Sequence, residues 1–148
     1  MYRILKATAD TYITNKIVGG SRATDSNVGS AGTLDLFYLS GETALSGSSE
    51  SQDELTRILI KFDLNPLRAM TGTSLSISNS TFKCTLKLHD VYGGQPTPTN
   101  FKIIVFPLSQ SFDEGLGRDI SSFQDVDSCN FITASVAASG TNLWYTSG

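Results

Sequence analysis

Charge is scarce in this chain. Asp, Glu, Lys and Arg make up 17% of its 148 residues, and the formal net charge is −3. Lysine and arginine never gather into a run, which argues against binding nucleic acid through its phosphates. Metal-ligand chemistry is just as sparse. One histidine, His89, and two distant cysteines, Cys84 and Cys129, cannot build a CxxC or HExxH site. No metal and no cofactor is expected. Long apolar runs are also missing. The longest, "IIVF", is too short to cross a bilayer, so no membrane contact is expected. The opening "MYRILKATADTY" has no continuous apolar stretch, and no secretory signal is visible. No segment keeps a 3.6-residue apolar repeat over three turns, and no heptad or solenoid repeat is present.

Short alternating segments are what the sequence does hold. "MYRILKA" and "DTYIT" open the chain, and "LDLFYL" follows a Gly/Ser/Asn/Asp-rich loop over residues 15–33. Residues 40–55 read as a polar, exposed excursion. "TRILIKF" then places Ile58, Ile60, Phe62 and Leu64 on one face and Arg57, Leu59, Lys61 and Asp63 on the other. Asn65-Pro66 is a helix-start signal: Asn or Asp63 caps, and Pro at the first helical position loses no needed N–H. "SLSISN" is a short strand candidate. "TFKCTLKLHDVY" is the cleanest alternation, with Phe82, Cys84, Leu86 and Leu88 inward. "GGQPTPT" reads as a turn, "FKIIVFPL" as a strand, and "NFITASVA" and "NLWY" as the last strands. Phe62 and Leu86 are expected in the core. The pattern specifies an all-β fold, a β-sandwich or jelly roll with one short helix after the central strand, as a single domain over 1–148.

The two thiols are expected to stay reduced and unbridged, with Cys84 inward and Cys129 near a loop. The chain stops at "LWYTSG", just after a strand begins. Either that strand ends the domain or the sequence is the N-terminal fragment of a longer chain, and the fragment is the favoured expectation.

Catalytic signals are weak. His89 could join a Ser-His-Asp set, but no Gly-x-Ser-x-Gly elbow accompanies it, and it reads as a surface histidine. Asp113, Glu114, Asp119, Asp125 and Asp127 match no twelve-residue calcium loop and read as a solvated loop with Asp caps. Asn79-Ser80-Thr81 is a glycosylation tripeptide with no secretion signal to give it meaning. Phe62, Phe82 and Phe101 fall on apolar faces. Tyr12, Tyr38, Tyr92, Trp144 and Tyr145 are the aromatics open to exposure. Tyr12, Tyr38, Tyr92 and Trp144 are the candidate glycan or partner contacts, with core or loop packing as the competing role for each.

The combination Asp10-Thr11-Tyr12, Asn27-Val28-Gly29 and Arg57 to Leu64 resembles the DNRLRE domain family over the first half of the chain. The resemblance implies a jelly-roll β-sandwich of a kind found in cell-surface and carbohydrate-associated proteins, some of which bind polysaccharide. The second half, from "KLHDVYGGQPTPTNF" to "LWYTSG", looks like a subgroup of tailed-bacteriophage virion structural proteins. That resemblance implies a non-enzymatic part of a virion, assembled in the host cytoplasm. It would be a head decoration or a neck, tail or baseplate accessory whose partners are other virion proteins and copies of itself. The competing expectation is a carbohydrate-binding module.

Overall fold

A computed structural model describes residues 2–41, 52–72, 74–91, 99–121 and 127–145. The described elements are strands β1 (Ala7–Thr14), β2 (Ile17–Val18), β3 (Ser21–Arg22), β4 (Tyr38–Ser40) and β5 (Asp53–Phe62), helix α1 (Asn65–Arg68), and strands β6 (Thr133–Ala137) and β7 (Gly140–Leu143). The fold is all-β. Its sheets are small: one three-stranded sheet in the order β1-β5-β4 and two hairpins, β2-β3 and β6-β7. The chain divides into two compact units. The sheet unit holds Ala7–Lys61 and Leu108–Gly148, and the helical-turn unit holds Met1–Lys6 and Phe62–Pro107.

In the sheet unit β5 is central. Its partner β4 is antiparallel, with Leu39 opposite Glu54. β1 also runs against it: the Thr8 hydroxyl donates to the Lys61 carbonyl, and the Asn15 N–H donates to the Leu55 carbonyl. Numbers therefore rise along β1 as they fall along β5. The apolar core is Ile13, Leu59, Phe112 and Cys129, with Ala9, Phe131 and Trp144 packed against it. Leu59 thus lies in the core, although its sequence neighbours on that face are charged, and Ile58, Ile60 and Phe62 are half-buried. β5 is thus at least partly covered on both faces, and alternation alone does not say which cover is thicker.

Two glycines turn the loop over residues 15–33 into a hairpin. Gly19 and Gly20 have φ of 60° and 84°, the pair of positive values that a two-residue turn between β2 and β3 needs. The Ile17 N–H donates to Oε2 of Glu54 at 2.8 Å, which ties the hairpin to β5. Glu54 is only 1% exposed, and its Oε1 has no partner among the described residues.

The remaining cohesion comes from polar side chains that hold backbone. Asn27 is fully buried. Its Nδ2 donates to the carbonyls of Glu114 (2.8 Å) and Cys129 (2.7 Å), and its Oδ1 accepts from the N–H groups of Gly29 and Gly117, both at 3.0 Å. All four capacities of one amide are spent on joining residues 27–29 to 114–129. Asn130 repeats the device locally, with Oδ1 accepting from the N–H groups of Ile132 and Thr133. The Glu114 carboxylate accepts from the Asp10 N–H at 2.7 Å, and Asp113 accepts from that of Val136 at 2.9 Å.

The helical-turn unit departs from expectation most. Pro66 does open a helical turn. Neither expected residue holds the cap: the N-cap position is Leu64, with no side-chain cap bond, Asn65 is the first helical residue, and Asp63 Oδ1 accepts from its N–H at 2.9 Å just before the turn. Residues 82–91 and 101–107 carry no strand, and "MYRILKA" contributes none before Ala7. Leu86, expected in the core, is 43% exposed, Phe82 38% and Phe101 52%. Alternation makes one face of such a segment apolar, but only a second element covers that face, and none of the described residues does so. Of the stretch "GGQPTPT", residues 93–98 lie outside the described residues, and its last residue, Thr99, lies in a turn.

No disulfide joins the two cysteines, but their positions are the reverse of those expected. Cys84 is exposed and Cys129 is fully buried in the core. Native protein is therefore expected to take one thiol label quickly, at Cys84, and a second only in denaturant. Peptide mapping after timed alkylation checks the assignment, and fast labelling at Cys129 would contradict this core.

Candidate functional site

Two surfaces stand out. The first is a groove of about 190 Å³ in the sheet unit. Ile13 of β1 and Leu59 of β5 line its apolar part. Trp144 and Tyr145, just past β7, and residues 108–110 line the rest, with Arg57 beside them. The sequence brings these together for a local reason. The β6-β7 hairpin turns through Ala138 and Ser139, and the Gln110 side chain then clasps its far end. Gln110 Nε2 donates to the Leu143 carbonyl at 2.8 Å, and its Oε1 accepts from the Tyr145 N–H at 3.1 Å. Trp144 is half-buried, and its Nε1 donates to the Asn130 carbonyl at 2.9 Å, so the indole is fixed at both its ring and its polar handle. Tyr145 is 81% exposed. The Arg57 guanidinium lies 5.1 Å from the centre of the Phe131 ring, within cation–π range. The volume is below the roughly 300–1,000 Å³ of sites that enclose a drug-sized ligand.

Of the three candidate contact residues that are described, only Trp144 lines this groove. Tyr12 is 5% exposed, which removes its ring as a contact surface. Its OH donates to Asp35 at 3.4 Å. Burial first, and Asp35 second, push its phenol from 10.0 up to about 12. Because the folded chain holds that proton more tightly than the unfolded chain, the contribution to stability is complete below pH about 10. It is lost as pH rises through about 12. Alkaline titration by ultraviolet absorbance is expected to show a tyrosine ionising near pH 12 that is absent in Tyr12→Phe. Tyr38 is exposed on β4, and its hydrogen bond with Asp53 holds its phenol above the ordinary value. Tyr92 lies outside the described residues.

The acidic loop is largely committed to the fold. Asp113 and Glu114 accept from backbone as described, and Asp119 accepts from the Ser121 N–H and hydroxyl. Asp125 lies outside the described residues. His89 is exposed. Among the described residues no three His, Cys, Asp or Glu side chains converge as a metal site.

The second surface is apolar. In residues 101–106 Ile104 is 74% exposed, Val105 68% and Phe106 78%. Lone exposed apolar residues are ordinary, whereas consecutive ones are not. Sequence named Tyr145 only as an aromatic open to exposure and Arg57 only as a strand residue, and it passed over Gln110, because positions 13, 57, 110 and 144 are joined only by folding. Comparisons with protein-family models, curated proteins and solved structures found no match.

Proposed function

We propose that the chain is a non-enzymatic structural component of a bacteriophage particle, as a head decoration or a neck, tail or baseplate accessory. It acts in the virion, after assembly in the host cytoplasm, by docking onto neighbouring subunits. In this reading the small sheets belong to a jelly-roll sandwich of the DNRLRE type. The observation that carries it is the run of exposed Ile104, Val105 and Phe106, whose burial is left for a partner to complete. Covering apolar surface yields about 25 cal/mol per Å², enough for a modest patch to drive association. Two further features support the reading. Asp10–Tyr12 lie on β1 and Arg57–Phe62 on β5, neighbouring strands of one sheet, and Asn27 of the Asn-Val-Gly motif is the amide that knits the unit together. Mass spectrometry of purified particles tests it. The chain should be present in fixed proportion to the other particle proteins, and recovery solely as free protein would refute the role.

The groove favours a second reading, a carbohydrate-binding module. Trp144 and Tyr145 offer aromatic surface, Arg57 and Ser109 offer polar atoms, and a polar hollow with Ser135 and Asn142 adjoins the same Gln110. A polysaccharide panel separates the readings. Micromolar binding of one glycan, lost in Tyr145→Ala, would transfer the primary role to sugar recognition.

A further inference from the structure

Seven asparagines are spread along the chain, and one differs from the rest in the residue that follows it. Asn79 precedes Ser80, whereas the others precede Lys16, Val28, Pro66, Phe101, Phe131 and Leu143. A bulky side chain crowds the backbone nitrogen that links the two residues, and proline has no N–H there. Serine neither crowds that nitrogen nor removes its proton.

Asn79-Ser80-Thr81, which reads in sequence as a glycosylation tripeptide, folds into a turn with a chemistry of its own. All three residues are exposed. Asn79 Oδ1 accepts from the Thr81 N–H at 2.9 Å and from the Thr81 hydroxyl at 2.8 Å. Two donors on one amide oxygen draw electron density from Cγ, and they stabilise the negative charge that develops on that oxygen when a nucleophile adds. The Phe82 N–H donates to the Asn79 carbonyl at 2.9 Å and closes the turn. Neither the Ser80 N–H nor Asn79 Nδ2 makes a hydrogen bond among the described residues. Nucleophile, activated carbonyl and leaving group thus lie together in one turn that water reaches.

Other asparagines are held differently. Asn27 is buried with its amide fully engaged, as described above. Asn15 spends its amide on the Asp53 carbonyl and the Leu55 N–H, and the Lys16 N–H after it donates to the Thr14 hydroxyl. The Phe131 N–H after Asn130 donates to the Thr24 carbonyl. Asn100 is exposed but carries Phe101 next to it.

We propose that Asn79 is a site of spontaneous deamidation, by which the chain modifies itself at one turn without an enzyme. The Ser80 nitrogen gives up its proton to solvent base and attacks Cγ of Asn79. The N–Cγ bond forms, the Cγ–Nδ2 bond breaks, and ammonia leaves a cyclic succinimide. Water then opens the ring at either of its carbonyls, giving aspartate or isoaspartate at position 79. Nothing is oxidised or reduced, and water is the sole co-reactant. The product adds a negative charge to the formal −3 of the chain. Isoaspartate also routes the backbone through the former side chain, which lengthens the turn. The step is independent of the docking role.

Timed incubation of the purified full chain at mildly alkaline pH, followed by peptide mapping with mass spectrometry, tests this. The peptide holding residue 79 should gain the mass difference between an amide and a carboxyl ahead of every other asparagine peptide, that of Asn100 included. It should separate into aspartate and isoaspartate forms, the second of which accepts a methyl group from S-adenosylmethionine with an isoaspartyl methyltransferase. The rate should rise with pH, because the Ser80 nitrogen must lose its proton. Ser80→Val should slow the step by crowding that nitrogen. Thr81→Val should slow it about two- to tenfold in the native chain, the worth of one hydrogen bond. In urea, where the turn is absent, the same substitution should leave the rate unchanged. An amide at position 79 that outlasts the others, or aspartate formed without isoaspartate, would overturn the inference. Equal slowing by Thr81→Val in native and unfolded chain would overturn the part assigned to the turn.

Discussion

Asn27→Ala is expected to destabilise the protein by about 4 kcal/mol or more. The side chain is fully buried and makes four hydrogen bonds to backbone. Alanine removes the amide and leaves the Gly29 and Gly117 N–H groups and the Glu114 and Cys129 carbonyls to find new partners. Each buried group left unsatisfied costs about 1–3 kcal/mol, and the Cys129 and Gly117 ends of the network are buried. The loss also separates segments about ninety residues apart in sequence. Asn79 provides the contrast. Its Oδ1 accepts from the N–H and hydroxyl of Thr81 in an exposed turn, and water replaces those bonds. Asn79→Ala is expected to change stability by less than about 0.5 kcal/mol. Urea denaturation of both variants measures the difference. Similar midpoints would mean that the Asn27 amide does not hold the unit together.

Gly117→Ala is the second large effect, about 3 kcal/mol or more, at the upper end of overpacking costs. A Cβ at Gly117 would overlap the Asn27 carbonyl, and one at Gly29 would overlap the Glu114 carbonyl. Backbone meets backbone at both places, so no side chain can rotate away to make room. Relief requires parting the two segments, which also stretches the Asn27 bonds. Gly32→Ala is the control. A Cβ there meets nothing within 4 Å, and no positive φ is required. Stability should stay level or rise by about 0.4–1 kcal/mol as the unfolded chain loses freedom. Equal destabilisation by both alanines would show that the close approach at Gly117 is not real.

These two sites explain why the "SNVG" and "EGLG" stretches contain glycine. Each reads as an ordinary turn in isolation. Folded together, they form one contact, in which the glycines give room and Asn27 gives the bonds. The acidic loop follows the same logic. Asp113 and Glu114 bind backbone N–H groups of β6 and β1, so their charge is spent on the fold.

Local physics alone determined several features of this protein. The strand over 57–62 follows from β-branched residues in alternation and the helical turn from Asn65-Pro66, whereas of the last two strands "NFITASVA" contains β6 but "NLWY" overlaps β7 only at Asn142 and Leu143. In the first two, the deciding interactions lie within a few residues, and the sequence displays them directly. Other features were decided only by tertiary structure. The Trp144 groove joins positions 13, 57, 110 and 144. Cys129 is buried because Ile13, Leu59 and Phe112 arrive around it. Leu86 and Phe101 alternate as regularly as any core strand, yet they remain exposed because no described element covers them. A residue's periodicity states which face it shares. What lies against that face is set by chain many tens of residues away, and only the folded molecule brings it there.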